Sequence, residues 1–160
     1  ELKRLAVAFS NQTILVVDHL EGDRFRDTLI RLEQEPTAIT TYDGGRMIAA
    51  GTQTGEILLI PASGEGPIRT IKCHGSRINV VAVLPNETQI VSGGMDRNLR
   101  LWDLKSGKLA GELWEHERQV FDLAVSPDGK TIVSVGLARD VLICRAPEVG
   151  GRNSDTTDPN

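Results

Sequence analysis

The chain has 160 residues, of which 39% are hydrophobic and 25% charged, and a net charge of −4 at pH 7. That balance fits a soluble globular protein. It excludes a helical membrane protein, because no apolar run is long enough to cross a bilayer, and it argues against direct nucleic-acid contact, because the basic residues are scattered rather than gathered into a stripe.

Taken in chain order, the segment RLAVAFSNQTILVVDHLEGDRFRDTLIRL opens as a degenerate partial copy of a unit that recurs later. Only Glu1-Leu2-Lys3 precede it, so it lacks that unit's first strand. The segment from Thr37 to His74 carries a fuller copy, aligned on the turn Gln53-Thr54-Gly55. The third copy is the clearest. The β-branched run INVVAVL, QIVSGG, LRLWDL and LAGELW read as four short strands. They are joined by turns at Pro85-Asn86-Glu87, Met95-Asp96-Arg97-Asn98 and Lys105-Ser106-Gly107-Lys108. A fourth copy starts at His116, 42 residues after His74, as HERQVFDLAVSPDGKTIVSVGLARDVLICRA. Pro147-Glu148-Val149-Gly150-Gly151 ends it before a fourth strand. Residues 147–160 are Gly-, Pro- and Asp-rich and read as a flexible polar tail or linker.

One four-stranded sheet cannot bury both faces alone, so copies must stack on one another. A period near 40 residues, with four strands and a terminal Trp-Asp, is the signature of a β-propeller. On these residues the sequence resembles the WD-repeat family over roughly residues 4–146, although the family's Gly-His pair reads Cys73-His74 and Glu115-His116. The resemblance implies an all-β fold of four-stranded antiparallel blades, at approximately 4–34, 37–73, 78–115 and 120–146. It further implies that His74, Ser92, Asp96 and Trp102 form one hydrogen-bonded chain that ties the third blade. The fourth copy keeps His116 and Ser134 but has Ala138 and Cys144 at the Asp and Trp positions, so its chain does not close in the same way. The second copy has Ala50 and Ile60 where Ser92 and Trp102 stand, and the opening copy has Val17-Asp18 where Trp102-Asp103 stand.

Two complete blades flanked by two partial ones make an incomplete arc rather than a ring. The remaining blades belong to the same longer chain or to a second chain, with two copies forming an eight-bladed ring as one arrangement. A closed four-bladed ring is disfavoured by its exposed strand edges.

Little in the chain could do chemistry. Ser63-Gly64-Glu65-Gly66-Pro67 leads to no helix and has no Lys to reach a phosphate. His74 and His116 sit one repeat apart, as blade-tying residues do, and His19 follows a strand end. Asp18-His19 and Glu115-His116-Glu117 fall short of a metal ligand set. Cys73 and Cys144 lack a C-x-x-C partner and fit a reducing compartment. Asn11-Gln12-Thr13 and Asn86-Glu87-Thr88 match the glycosylation pattern, which recurs often by chance. No catalytic residue, cofactor or metal is expected, and no contact with membrane or nucleic acid.

What remains is surface. By position, the resemblance places Arg77, Asn79 and Met95 of the third copy, and Gln119, Phe121 and Leu137 of the fourth, on the face where WD-repeat proteins receive partners. Glu35, Thr37 and Gln53 are the equivalents in the second copy, and Trp114 is a separate candidate contact. The expectation is a non-catalytic scaffold for other proteins, intracellular, cytoplasmic or nuclear, and a subunit or fragment of a larger complex. The alternative is a ligand-binding or enzymatic propeller with its site in missing blades or the central channel. Against it, Asp122 is the only carboxylate or His on the inner strands TAITTY, INVVAVL and VFDLAVS.

Overall fold

The computed structural model describes residues 3–20, 23–138 and 140–146. The proposed tail at 147–160 lies outside the described residues. The described chain is all-β, with no helix, and forms four antiparallel sheets. The opening sheet holds β1 (Lys3–Phe9), β2 (Thr13–His19) and β3 (Phe25–Arg31). The second holds β4 (Pro36–Tyr42), β5 (Met47–Thr52), β6 (Glu56–Pro61) and β7 (Arg69–Lys72). The third holds β8 (Ile78–Val83), β9 (Gln89–Gly94), β10 (Asn98–Asp103) and β11 (Leu109–Glu115). The closing sheet holds β12 (Val120–Val125), β13 (Thr131–Gly136) and β14 (Val141–Arg145). Each strand pairs with its neighbour in sequence, so every sheet is a meander, and the whole is an incomplete β-propeller.

Alternation along the strands supplies a core between each pair of sheets. Ile14, Val16 and Ile30 of the opening sheet meet Ile48, Ala50, Leu58 and Ile60 of the second. The other face of the second sheet, through Ala49, Ile57 and Leu59, meets Ile78, Val81, Ile90 and Trp102 of the third. Val91, Leu99 and Leu101 of the third then meet Val120 and Ile132 of the closing sheet. All the buried members of these clusters are at most 7% exposed.

A repeated backbone link sets the stagger between sheets. Gln12 and Arg97 adopt φ of 65° and 71°, and Gly55 adopts 87°. Each closes the turn between the second and third strands of its blade, and its carbonyl accepts the N–H of the residue that leads into the next blade. Leu32 bonds to Gln12 O at 2.8 Å, His74 to Gly55 O at 2.8 Å and His116 to Arg97 O at 2.9 Å. Only glycine fits at Gly55, where a Cβ would strike the carbonyl of His74.

A second link joins the innermost strands. β4, β8 and β12 each carry a bulge, at Thr37, Asn79 and Phe121. Thr37 Oγ1 donates to Ile78 O at 2.5 Å, and Asn79 Nδ2 to Val120 O at 2.8 Å.

Candidate interaction surface

In the third blade four side chains, from two strands, a loop and a turn, form one chain of hydrogen bonds. Trp102 Nε1–H donates to Ser92 Oγ at 2.8 Å, and Ser92 Oγ lies 2.8 Å from His74 Nε2. His74 Nδ1 is 2.9 Å from both carboxylate oxygens of Asp96. Asp96 accepts a donor, so Nδ1 carries the proton, Nε2 accepts from Ser92, and Ser92 Oγ receives the indole N–H. Arg100 is a further member that sequence spacing does not single out. Its Nη1 donates to Asp96 Oδ2 at 2.7 Å, and its Nε donates to Glu112 at 3.2 Å.

This is a Ser–His–Asp arrangement in geometry, but it is sealed. The His74 side chain has no exposed surface and Ser92 is fully buried. The serine oxygen is already engaged by the indole, so no substrate carbonyl could reach it. Burial pushes the His74 imidazole below its usual value against the pull of Asp96, which favours the neutral ring. Burial works against the Asp96 carboxylate, yet His74 and Arg100 hold it below the usual range. The Cys73 thiol is pushed up to about 12 by burial and stays protonated. Cys144 is raised for the same reason.

The closing blade corrects one expectation. Ala138 does leave the turn without a carboxylate, but Asp140 supplies one from two residues further along. Its Oδ2 lies 2.5 Å from His116 Nδ1, and His116 Nε2 lies 2.7 Å from Ser134 Oγ. Asp140 stands opposite Gly136 on the neighbouring strand, and a Cβ there would strike its carboxylate. The sequence signal is therefore a pair, a glycine and an aspartate facing it across the turn. With Cys144 at the Trp position, the chain stops at Ser134.

The second blade replaces the polar chain altogether. Leu32 occupies the position of His74, Ala50 that of Ser92 and Ile60 that of Trp102, and all three are buried in one apolar cluster. Above them Gln34 bonds to Glu56 and accepts from Thr54, and Thr52 Oγ1 lies 3.1 Å from Thr54 Oγ1.

The six candidate partner residues fall along one rim, where loop and turn are tied by the same backbone bond in successive blades. Met95 N donates to Arg77 O at 2.9 Å and Leu137 N to Gln119 O at 3.0 Å. Gln53 N reaches Glu35 O at 3.4 Å in the second blade. Met95, Phe121 and Leu137 are 51%, 63% and 55% exposed. Arg77, Asn79 and Gln119 are half-buried. Asn79 is committed to the bond with Val120, and Arg77 Nε is enclosed with no hydrogen-bond partner among the described residues. Phe121 stands where Thr37 and Asn79 reach toward the next blade, so it belongs to the end of the arc as much as to the rim. Trp114 is half exposed on the outer strand β11, and His19 stacks at a tilt on Phe25. Among the described residues no group of three His, Cys, Asp or Glu side chains is placed to hold a metal ion.

Comparison with known proteins agrees with this geometry. The family model "WD domain, G-beta repeat" matches residues 65–103 and 107–143. WD repeat and SOCS box-containing protein 1 of Takifugu rubripes is 29% identical over 99 residues, covering 61% of this chain and 23% of that protein. The U3 small nucleolar RNA-associated protein 15 homolog of Gallus gallus is 32% identical over 93 residues, covering 58% of this chain and 18% of that protein. The chain thus spans about a fifth of the length of these relatives. Among solved structures, the computationally designed Ika4 protein superposes with a TM-score of 0.74 at 22% identity, covering 90% of this chain and 86% of that one, a likeness of fold alone.

Proposed function

We propose that this chain, which belongs to the WD-repeat family, is a non-catalytic platform that holds other proteins as part of a larger intracellular complex, in the cytoplasm or nucleus. The observation that carries the reading is the rim. Its loop-and-turn rung recurs in three blades, and the last two set Met95 and Leu137 in solvent beside Arg77 and Gln119. Exposed apolar side chains next to an Arg form the composition of an interface anchor. The partner chemistry that fits is an apolar segment with a carboxylate for the Arg77 guanidinium. The sealed state of the Ser–His–Asp groups supports a platform over an enzyme. The relatives' names, one bearing a SOCS box and one associated with a small nucleolar RNA, suit service in assemblies; contact with RNA through other subunits is more in keeping with the net charge of −4.

The test is a quantitative pull-down with the whole chain and its M95D/L137D variant. Proteins retained by the wild type should fall on the order of tenfold or more in the variant, as for removal of interface anchors, with the melting temperature unchanged. Equal retention by both would overturn the rim as the docking surface.

A further inference from the structure

The loops that lead into the second, third and closing blades lie on one rim, but their chemistry differs. Glu33-Gln34-Glu35 opens the second blade and Glu117-Arg118-Gln119 the closing one, each with at least one carboxylate. The equivalent loop of the third blade is Gly75-Ser76-Arg77, which has donors and no carboxylate. It joins two four-stranded sheets, so neither end of the chain bounds it. Ser76 Oγ and Arg77 Nε are both enclosed and meet no hydrogen-bond partner among the described residues. A buried donor left without an acceptor is costly, and here two such groups stand on consecutive residues. In the neighbouring loops the corresponding groups are engaged. Gln34 bonds to Glu56 and Thr54, and Glu117 N donates to Asp140 Oδ2 at 3.3 Å.

The backbone of the loop adds donors. The carbonyl oxygens of His74 and Ser76 lie against Gly55, where an added Cβ would stand 2.3 Å and 2.6 Å from them. In a trans peptide the N–H points opposite to the carbonyl, and the described chain has no cis bond. The N–H groups of Gly75 and Arg77 therefore both turn away from Gly55, and neither meets an acceptor among the described residues. There is room beside them. Gly75 is exposed, and a Cβ on it would meet no atom within 4 Å. Asp96 on the facing turn does not oppose an anion as a free charge, because His74 Nδ1–H and Arg100 Nη1 hold it at 2.9 Å and 2.7 Å. Met95, tied by its N–H to Arg77 O, sets an exposed apolar side chain next to the loop.

We propose that Gly75-Ser76-Arg77 is an oxyanion site that takes the phosphate of a phosphorylated side chain in preference to a carboxylate, so that phosphorylation of the segment docked on the rim governs its retention. The inference rests on the rim as a protein-docking surface and adds its regulation. A guanidinium fork alone satisfies the two oxygens of a carboxylate. A phosphate monoester brings three acceptor oxygens and a charge of about −1.5 to −2 at pH 7. That is enough to engage the Arg77 fork together with the Ser76 hydroxyl and the two backbone N–H groups. Engagement draws the Arg77 side chain out of its enclosure and gives Nε the acceptor it lacks. Elsewhere on the rim the carboxylates of Glu33, Glu35 and Glu117 repel such a dianion, which fixes it to the third blade. A nucleic-acid backbone fits less well, because its run of phosphates needs a run of cations and this loop supplies one.

The test is an amide NMR titration of the whole chain with short capped peptides in which leucines flank a phosphoserine, an aspartate or a serine. The amides of Gly75, Ser76 and Arg77 should shift with the phosphopeptide, at a Kd on the order of tenfold or more below that of the aspartate peptide. Gly75→Glu copies Glu117 of the closing blade into open space, so the rest of the spectrum should stay in place. It sets a carboxylate against the phosphate and should raise the Kd on the order of tenfold or more. Arg77→Gln should raise it in the same way. No shift of the loop amides, equal affinity for the phosphoserine and aspartate peptides, or an undiminished response in Gly75→Glu overturns the phosphate site. None of these outcomes touches the rim as a docking surface, which stands or falls with M95D/L137D. A short single-stranded RNA that moves the same amides at lower concentration than the phosphopeptide overturns the assignment to a protein segment.

Discussion

The second and third blades solve one packing problem with opposite chemistry. Where the third blade threads His74, Ser92 and Trp102 on a hydrogen-bonded line to Asp96, the second blade places Leu32, Ala50 and Ile60 in direct apolar contact. The leading residue of each set hangs from the preceding blade by the same backbone bond, to Gly55 O or to Gln12 O. The backbone scaffold is therefore indifferent to polarity at these sites, and the side chains must change together. A buried polar group is tolerated when its partner is present and costly when it is not.

The largest effect should come from mixing the two sets. His74→Leu leaves the buried Ser92 hydroxyl without its acceptor and removes one partner of Asp96. It should cost roughly 2–3 kcal/mol, read by urea denaturation. Adding Ser92→Ala and Trp102→Ile completes the apolar set of the second blade. The triple variant should then lose less than the sum of the three single changes by more than about 1 kcal/mol. Strict additivity would mean that the positions are not coupled.

A smaller effect is expected in the closing blade, where the line is shorter. Asp140→Ala should loosen β12–β14 less than His74→Leu loosens the third blade, seen as faster amide exchange in those strands. Adding Ala138→Asp puts a carboxylate at the position of Asp96 and should restore protection. If it does not, the turn itself, and not the carboxylate, is what matters there.

Acidification should give the smallest difference. The folded His74 ring titrates below 6.5, its ordinary value, because burial disfavours the imidazolium. As pH falls through 6.5 the unfolded chain takes up that proton first, so stability declines toward acid. Asp96, held below 3.8 despite burial, adds loss in the same direction at lower pH. Amide protection in β9 and β10 should therefore drop between pH 7.5 and 5.5, after correction for intrinsic rates, while β5 and β6 change less. Equal changes in both blades would remove the imidazole as the cause.

Much of the strand pattern is legible because short β-branched runs and turn residues are local signals: INVVAVL and QIVSGG read as strands without any partner. The hydrogen-bonded line of the third blade is legible because its members fall at the spacing of a repeat that the resemblance supplies. The role of Asp140 is not, since it depends on a carboxylate placed two residues later, just before β14, and on Gly136 leaving room across the hairpin. Arg100 is hidden for a similar reason, because its partners Asp96 and Glu112 come together only when β10 is flanked by its turn and by β11. Leu32 could have been found by counting 42 residues back from His74. The opening blade resists such counting, because its buried faces are matched by a shift of 43 residues, and a one-residue slip exchanges the two faces of a strand.

The bonds from Thr37 to Ile78 and from Asn79 to Val120 all lie on the innermost strands, near the axis around which the sheets are arranged. Farther out, neighbouring sheets meet chiefly through apolar side chains, which slide more readily than hydrogen-bonded backbone. The arc is thus clasped in a regular series along its inner edge, while farther out a side-chain tie such as Arg69 Nη2 to Lys105 O, at 2.9 Å, supplements the apolar contacts.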